Sequence, residues 1–388
     1  MPEAVITGIG QSTIGRRLGR GSLALAVQAC RAAVADAGLS LTDIDGVSTY
    51  PGAAEPSPGY SGVGALDLRD ALGLRLSWFS ATAEAGGQLG AVVTAWAAVK
   101  AGLANHVLCF RSSWESTAAR LPAQQQRAPH AVSAAARWSA PLGMLSAVNW
   151  AAMLAQRHFY EYGTTRTQLG AIATTQRGNA VLNPDAVLRE PMTMADYLDA
   201  RPISDPLGLL DCDIPVDGAT AVVVSSHERY QQIGKVQPLA IAAASSAIHG
   251  RSDRAFVADL RHTVADEVAA DLWRRTHLRP ADVDVAGLYD GFSILTLLWL
   301  EALGFCPRGE GGRFVEGGQR ISRDGELPVN TGGGQLSAGR LHGWGHLYEV
   351  CLQLRGAAGQ RQLARRPEVA VVAAGGGNVG GAMLLTLA

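Results

Sequence analysis

The side chains best suited to chemistry cluster in the second half of the chain. Tyr289 closes an apolar run in LYDGFSI, and Arg340, His342 and His346 follow a glycine run in NTGGGQLSAGRLHGWGHLYE. A tyrosine titrates near 10, so it serves unaided as an acid or hydrogen-bond donor and works as a base only beside a cation. Arg340 is such a cation. It can steady a developing anion or lower the pKa of Tyr289, and equally it can clamp a phosphate or pair with a carboxylate from the 307–326 loop. His342 is a candidate general base. His346 stands one helical turn further on, a spacing that can bind metal, but no third ligand accompanies the pair and no metal site is expected. It is read as facing a neighbouring helix. Glu84, beside Gly86 and Gly87, is either a base or a buried capping and hydrogen-bonding group, and Asp290 is read as anchoring its own strand end through backbone N–H groups.

The elements that must position these groups repeat. Gly-Gly-Gln-Leu occurs at 86–89 and again at 333–336, each time opening a helix-like stretch upstream of an apolar run. The likeness extends to residues 38–50 against 277–289, both ending in a strand with an aromatic tip, to 103–113 against 367–377, and to 217–226 against 379–388. Short β-branched runs alternating with Ala-rich helices predict an α/β fold with a mostly parallel sheet covered on both faces. The expected organisation is two half-domains, 1–235 and 236–388, with a site where their glycine loops meet near a pseudo-twofold axis. The first half carries an excursion over about 112–210, read as a cap over the site or as a packing or dimerisation arm. Residues 307–330 form a Gly-rich loop with hairpin character. Gly333, Gly334, Gly375 and Gly376 allow a backbone to approach a ligand closely. They lack the spacing and lysine of nucleotide-phosphate loops, and their N–H groups suit an oxyanion hole.

Size and composition set the class. The chain has 388 residues, 47% hydrophobic and only 17% charged, enough for a large α/β core. A formal net charge of −1 leaves no basic stripe for nucleic acid or an anionic membrane. MPEAVITGIGQ has neither the basic nor the apolar region of a signal peptide, and LYDGFSILTLLWLEALGF is broken by Asp290 and Glu301, so a soluble cytoplasmic protein is expected. Cys30, Cys109, Cys212, Cys306 and Cys351 show no metal or redox spacing and are read as buried thiols.

Taken together, ITGIGQSTIGR, LLDCDIPVDGATAVVVSS, LYDGFSI, LGFCPRGEGGRFVEGG, NTGGGQLSAGRLHG and AAGGGNVGGA resemble the thiolase superfamily over essentially the whole chain. The likeness is to its lipid-transfer branch, the sterol-carrier-protein thiolase-like proteins and steroid side-chain aldolases. It implies duplicated halves, each with a five-stranded sheet, in a layered α-β-α-β-α arrangement. Condensing thiolases place cysteines at the first glycine loop and before the last glycine run, and a Gly-His-Pro in the second loop. Here SATAEAGGQLG has no cysteine, Gly339-Arg340-Leu341 replaces Gly-His-Pro, and Ala373-Ala374 replaces the terminal cysteine. Condensation through an acyl-cysteine is therefore not expected. The resemblance implies instead a retro-aldol cleavage of a β-hydroxyacyl-CoA with a bulky lipid or steroid side chain, needing no cofactor beyond the CoA thioester. Tyr289, Arg340 and His342 would be the catalytic groups, and Glu84 and the glycines at 86, 87, 333, 334, 375 and 376 would bind substrate. Trp114, Trp138 and Trp150 suit a bulky side chain. The aldolase-like relatives carry a second tyrosine about where Arg340 stands. The family further implies a homodimer and a hetero-oligomer with a small OB-fold and zinc-ribbon protein. Two other readings stay open: a cysteine-independent acyltransferase or hydrolase using His342, and a non-catalytic acyl-CoA or lipid-binding subunit of a partner enzyme.

Overall fold

Among the described residues nine strands form one continuous sheet whose order retraces itself about its middle. The computed structural model describes residues 3–51, 59–60, 62–81, 88–121, 139–233, 236–249 and 259–388. The strands are β1 Ala4–Gln11, β2 Gly46–Thr49, β3 Trp78–Ala81, β4 His106–Trp114, β5 Asp217–Ser226, β6 Leu239–Ile248, β7 Val285–Leu288, β8 Val369–Gly375 and β9 Val379–Leu387. Their spatial order is β3-β2-β4-β5-β1-β6-β9-β8-β7. Counting outward from the centre, β1, β5, β4 and β2 are answered by β6, β9, β8 and β7. Beyond β7, a single parallel bridge from Ala286 to Val329 stands where β3 stands in the first half. The seam between halves is short and antiparallel, with Val5 opposite Ala240 and Ile6 opposite Leu239. Parallel pairing holds the outer part of each half, β3–β2–β4 and β7–β8, whereas β5 and β9 enter antiparallel.

Among the described residues seven longer helices cover this sheet: α1 Ser22–Asp36, α2 Gly90–Lys100, α3 Ala147–Tyr162, α4 Arg166–Val181, α5 Val264–Arg274, α6 Ser293–Ala302 and α7 Trp344–Arg355. Three apolar clusters define the layers. One joins α2 and α7 to strands of both halves, so these two helices form the middle layer. A second sets α1 on the outer face of the first half, and a third sets α5 and α6, with α3 and α4 outside them, on the outer face of the second. This is the layered α-β-α-β-α arrangement. Helix α1 buries Leu25, Ala26, Ala29, Cys30, Ala33 and Val34, a stripe at three- and four-residue spacing. Its small side chains bring it so near β1 that a Cβ on Gly8 would lie 2.1 Å from the Ala33 carbonyl oxygen. Helix α6 is buried from Ser293 to Glu301, which is why its sequence is apolar all round without spanning a membrane. No helix among the described residues is long and apolar enough to cross a membrane.

Two expectations are modified. The hairpin expected over 307–330 is absent. That segment forms a short helix, Gly311–Val315, and a 3-10 turn, Gln319–Ile321. The buried Glu301 carboxylate accepts the Gly311 N–H at 2.9 Å and fixes the helix start, while the sequence lacks the apolar alternation a hairpin needs. The excursion over 112–210 combines its two readings. Helices α3 and α4 pack on α6 of the second half, and α3 also contributes Ala147 and Trp150 to the wall of a cavity.

Candidate active site

The two aromatic strand tips meet. Tyr50 directly follows β2 and Tyr289 directly follows β7, and both line a cavity of about 260 Å³ between the halves. Gln88, from the first Gly-Gly-Gln-Leu phrase, donates to the Tyr289 hydroxyl at 3.1 Å, so the duplicated loop of one half grips the strand tip of the other. The Trp344 indole at the start of α7 donates to the Gln88 carbonyl at 2.7 Å and fixes that loop. Burial, with the negative charge of Asp213 and the neighbouring Tyr60, pushes the Tyr289 phenol well above its ordinary value. Tyr289 therefore holds its proton at neutral pH and offers it as an acid or donor.

Arg340 reaches the same cavity from the second glycine loop. Its Nε donates to Glu115 Oε2 at 2.9 Å and its Nη1 to Asp213 Oδ1 at 3.0 Å. The backbone supports this bridge, since the Arg340 N–H donates to the Ile214 carbonyl at 2.8 Å. Burial works against the charge, but Asp213 and Glu115 hold the guanidinium above its ordinary value. The expected pairing of Arg340 with a carboxylate of the 307–326 loop is replaced by these two first-half carboxylates. Asp213 is itself unusual. Burial, with Glu115 and Asp290 nearby, pushes it up to about 7 against the pull of Arg340.

His342 is buried, with a left-handed backbone at φ 53°. Its Nδ1 lies 2.8 Å from Nη2 of Arg111, a guanidinium that is itself fully buried. Arginine can only donate, so Nδ1 accepts and the ring proton sits on Nε2. Nε2 has no hydrogen-bond partner at normal length, and Glu115 Oε2 lies 3.5 Å away. Tyr60 closes the cluster, with its ring 4.3 Å from the imidazole and 4.4 Å from the Arg111 guanidinium carbon. Burial, then Arg111 and Arg340, push the His342 pKa far down, so the ring is neutral. The expectation of a general base is corrected here. His342 presents an N–H donor, because its free lone pair is already taken.

The other predicted positions divide. Gly375 and Gly376 line the cavity as expected, together with Gly377. Gly333 and Gly334 do not. They have φ of 102° and 59°, and a Cβ would strike Ala180 of α4 at 2.6 Å and Asp290 Oδ2 at 2.1 Å respectively. Their missing side chains are required by the close packing of the loop. Asp290 accepts the N–H groups of Gln335 and Leu336 and bonds His346 Nε2 at 2.8 Å, so it anchors the second glycine loop and α7 rather than its own strand end. Glu84, Gly86, Gly87 and Trp138 lie outside the described residues. Among the described residues no cluster of His, Cys, Asp and Glu could hold a metal ion. No cysteine lines the cavity; Cys212 beside it is pushed up to about 12 by burial, Asp211 and Asp213, too high for a thiolate nucleophile. Tyr50, Tyr60, Gln88, Arg111, Glu115 and Asp213 escaped the sequence reading. Tyr50 was signalled by the repeat and Arg111 by a cation inside an apolar strand.

A duplicated layered fold with a protonated tyrosine and no cysteine lining the shared cavity defines a class. The chain belongs to the thiolase superfamily, in its sterol-carrier-protein thiolase-like branch. Residues 246–388 match the Thiolase C-terminal domain-like family. The chain is 35% identical to a steroid side-chain-cleaving aldolase of Thermomonospora curvata, covering 91% of this chain and 90% of that one. It is also 35% identical to a 17-hydroxy-3-oxo-4-pregnene-20-carboxyl-CoA lyase of Mycobacterium tuberculosis, covering 91% and 92%. The solved Ltp2-ChsH2(DUF35) aldolase superposes with a TM-score of 0.88 at 33% identity, covering 99% of this chain and 98% of that one.

Proposed function

We propose that this chain is a carbon–carbon lyase that cleaves a β-hydroxyacyl-CoA by the retro-aldol route. The acyl group is a bulky lipid or steroid side chain, of the kind for which the mycobacterial relative is named. The observation that carries the reading is the cavity's complement of groups: Tyr289 as a protonated donor, Arg340 bridging two carboxylates, a neutral His342 N–H, and no thiol. A β-hydroxyl loses its proton to a base, the Cα–Cβ bond breaks, and a ketone or aldehyde leaves. The electron pair moves onto the thioester as an enolate. That anion needs donors in a site with little water, and Arg340, His342 Nε2–H and the backbone N–H groups of residues 375–377 supply them. Tyr289 then protonates Cα. The proton count closes without an oxidant, a metal or a covalent acyl-enzyme, so no cofactor is required beyond the CoA of the substrate.

The protein works in the cytoplasm as a homodimer that joins a small OB-fold and zinc-ribbon protein in a hetero-oligomer. The Ltp2-ChsH2(DUF35) structure supports such an assembly. The direct test incubates the purified chain, alone and with its genomic neighbour, with 17-hydroxy-3-oxo-4-pregnene-20-carboxyl-CoA and other β-hydroxyacyl-CoA esters. Release of ketone and a shortened acyl-CoA is expected. Light scattering on the same samples reports the assembly.

A further inference from the structure

The reaction needs a proton acceptor, and Tyr289, Arg340 and His342, the three residues read as catalytic from sequence, cannot provide one. Tyr289 keeps its proton and its oxygen already accepts from Gln88. Arg340 is a cation. His342 has its one lone pair on Nδ1, where Arg111 occupies it. Among the described residues two carboxylates remain on the cavity wall, Glu115 and Asp213.

Their surroundings separate them. Glu115 Oε2 takes the Arg340 Nε, faces the His342 Nε2–H at 3.5 Å and lies 3.4 Å from the Ser113 hydroxyl. It is tied into the donor side of the site. Asp213 engages Arg340 through Oδ1 alone, and its Oδ2 accepts from no group among the described residues. The Asp213 N–H donates to the Gly291 carbonyl at 3.1 Å, which ties this residue to the turn after Tyr289. The side chain is sunk, 6% exposed, yet it lines the cavity.

Resting on the lyase reading above, we propose that Asp213 is the general base that removes the β-hydroxyl proton. The O–H bond breaks and its proton passes to Oδ2. The oxygen's electron pair forms the carbonyl as the Cα–Cβ bond breaks, and Tyr289 supplies the proton that Cα needs. The proton on Asp213 returns to the Tyr289 oxygen, so the two residues end the cycle as they began. Arg340, held on Oδ1, keeps the carboxylate in place and in its charged form. A carboxyl titrating near neutrality also suits this work, since it is a stronger base than an ordinary aspartate while still ionised at the working pH.

Asp213→Asn keeps an oxygen for Arg340 and removes the base. With 17-hydroxy-3-oxo-4-pregnene-20-carboxyl-CoA as probe, kcat should fall at least about 100-fold. Affinity for the same ester lacking the 17-hydroxyl, which cannot be cleaved, should stay within about threefold. The wild-type rate should rise with pH through the titration of Asp213, a group faced by Arg340, Glu115, Tyr289 and Asp290, and that limb should be missing in the residual activity of the variant. A variant that cleaves within about threefold of wild type overturns the role of Asp213 and leaves the lyase reading standing. A wild-type protein that binds the ester but cleaves none of the panel, with or without its neighbour, overturns the lyase reading and the base with it. Should Asp213→Asn fail to fold, Asp213→Glu restores the charge but moves the oxygen. An unchanged melting temperature with turnover lowered about tenfold or more then supports the assignment, and wild-type turnover overturns it.

Discussion

Arg111 donates to Nδ1 of His342 across 2.8 Å, and that one bond decides what the histidine can do. Any imidazole with a donor on Nδ1 must carry its proton on Nε2 while neutral. A second arginine, Arg340, adds to the pressure against a positive ring. The histidine is thereby fixed as a hydrogen-bond donor to an anion.

This arrangement has a signature in stability. The unfolded histidine titrates near 6.5, and the folded one far below that. Above about 6.5 both forms are neutral and nothing is lost. Below it the unfolded chain takes a proton that the folded chain refuses, so stability falls with acidification by up to about 1.4 kcal/mol per pH unit. His342→Gln keeps an acceptor for Arg111 and cannot titrate. Its unfolding free energy, measured in urea between pH 7 and 5, should fall less steeply than that of the wild type.

Tyr289→Phe removes the donor at the strand tip while leaving the ring. Turnover should drop about 100-fold or more, with thioester affinity nearly unchanged. Near-normal turnover would remove Tyr289 from the chemistry.

Arg340→Met strands Asp213 and Glu115 without their shared cation. A loss of about 2–3 kcal/mol is expected at pH 8, above the titration of Asp213 at about 7. Acidification protonates Asp213 and lessens the need for the guanidinium, so the gap between variant and wild type should narrow towards pH 4. Chemical denaturation at the two pH values checks both parts.

Gly334→Ala tests packing apart from catalysis. Its Cβ would fall 2.1 Å from Asp290 Oδ2 at a backbone φ of 59°. A destabilisation of about 3 kcal/mol is expected, read as a lowered melting temperature.

Much of the fold was legible because the repeat is written in the residues. Strand tips at Tyr50 and Tyr289, Gln88 and Gln335 of the repeated phrase, and the matching terminal strands all appear where the duplication requires. Tyr289 was legible for the same reason. The partners were harder. Asp213 and Arg340 are 127 residues apart in the chain, and nothing in DCDIPVDG announces which cation its carboxylate will meet. Glycine misled at 333 and 334, because a missing Cβ reports a close neighbour without saying whether that neighbour is a ligand or a helix. His342 was seen as reactive, but its role turned on a guanidinium buried in β4, which only the folded structure brings to it.

The short β1–β6 seam joins two lobes that share a backbone plan but not a set of charges. The two carboxylates, Glu115 and Asp213, come from the first lobe, and the Arg340 guanidinium that bridges them comes from the second. Pairing the first lobe with another copy of itself would leave Glu115 and Asp213 without their guanidinium, and pairing two second lobes would leave Arg340 without its carboxylates. The architecture is twofold, but its electrostatics are those of a plug and a socket, so the lobes have become complements that cannot be exchanged.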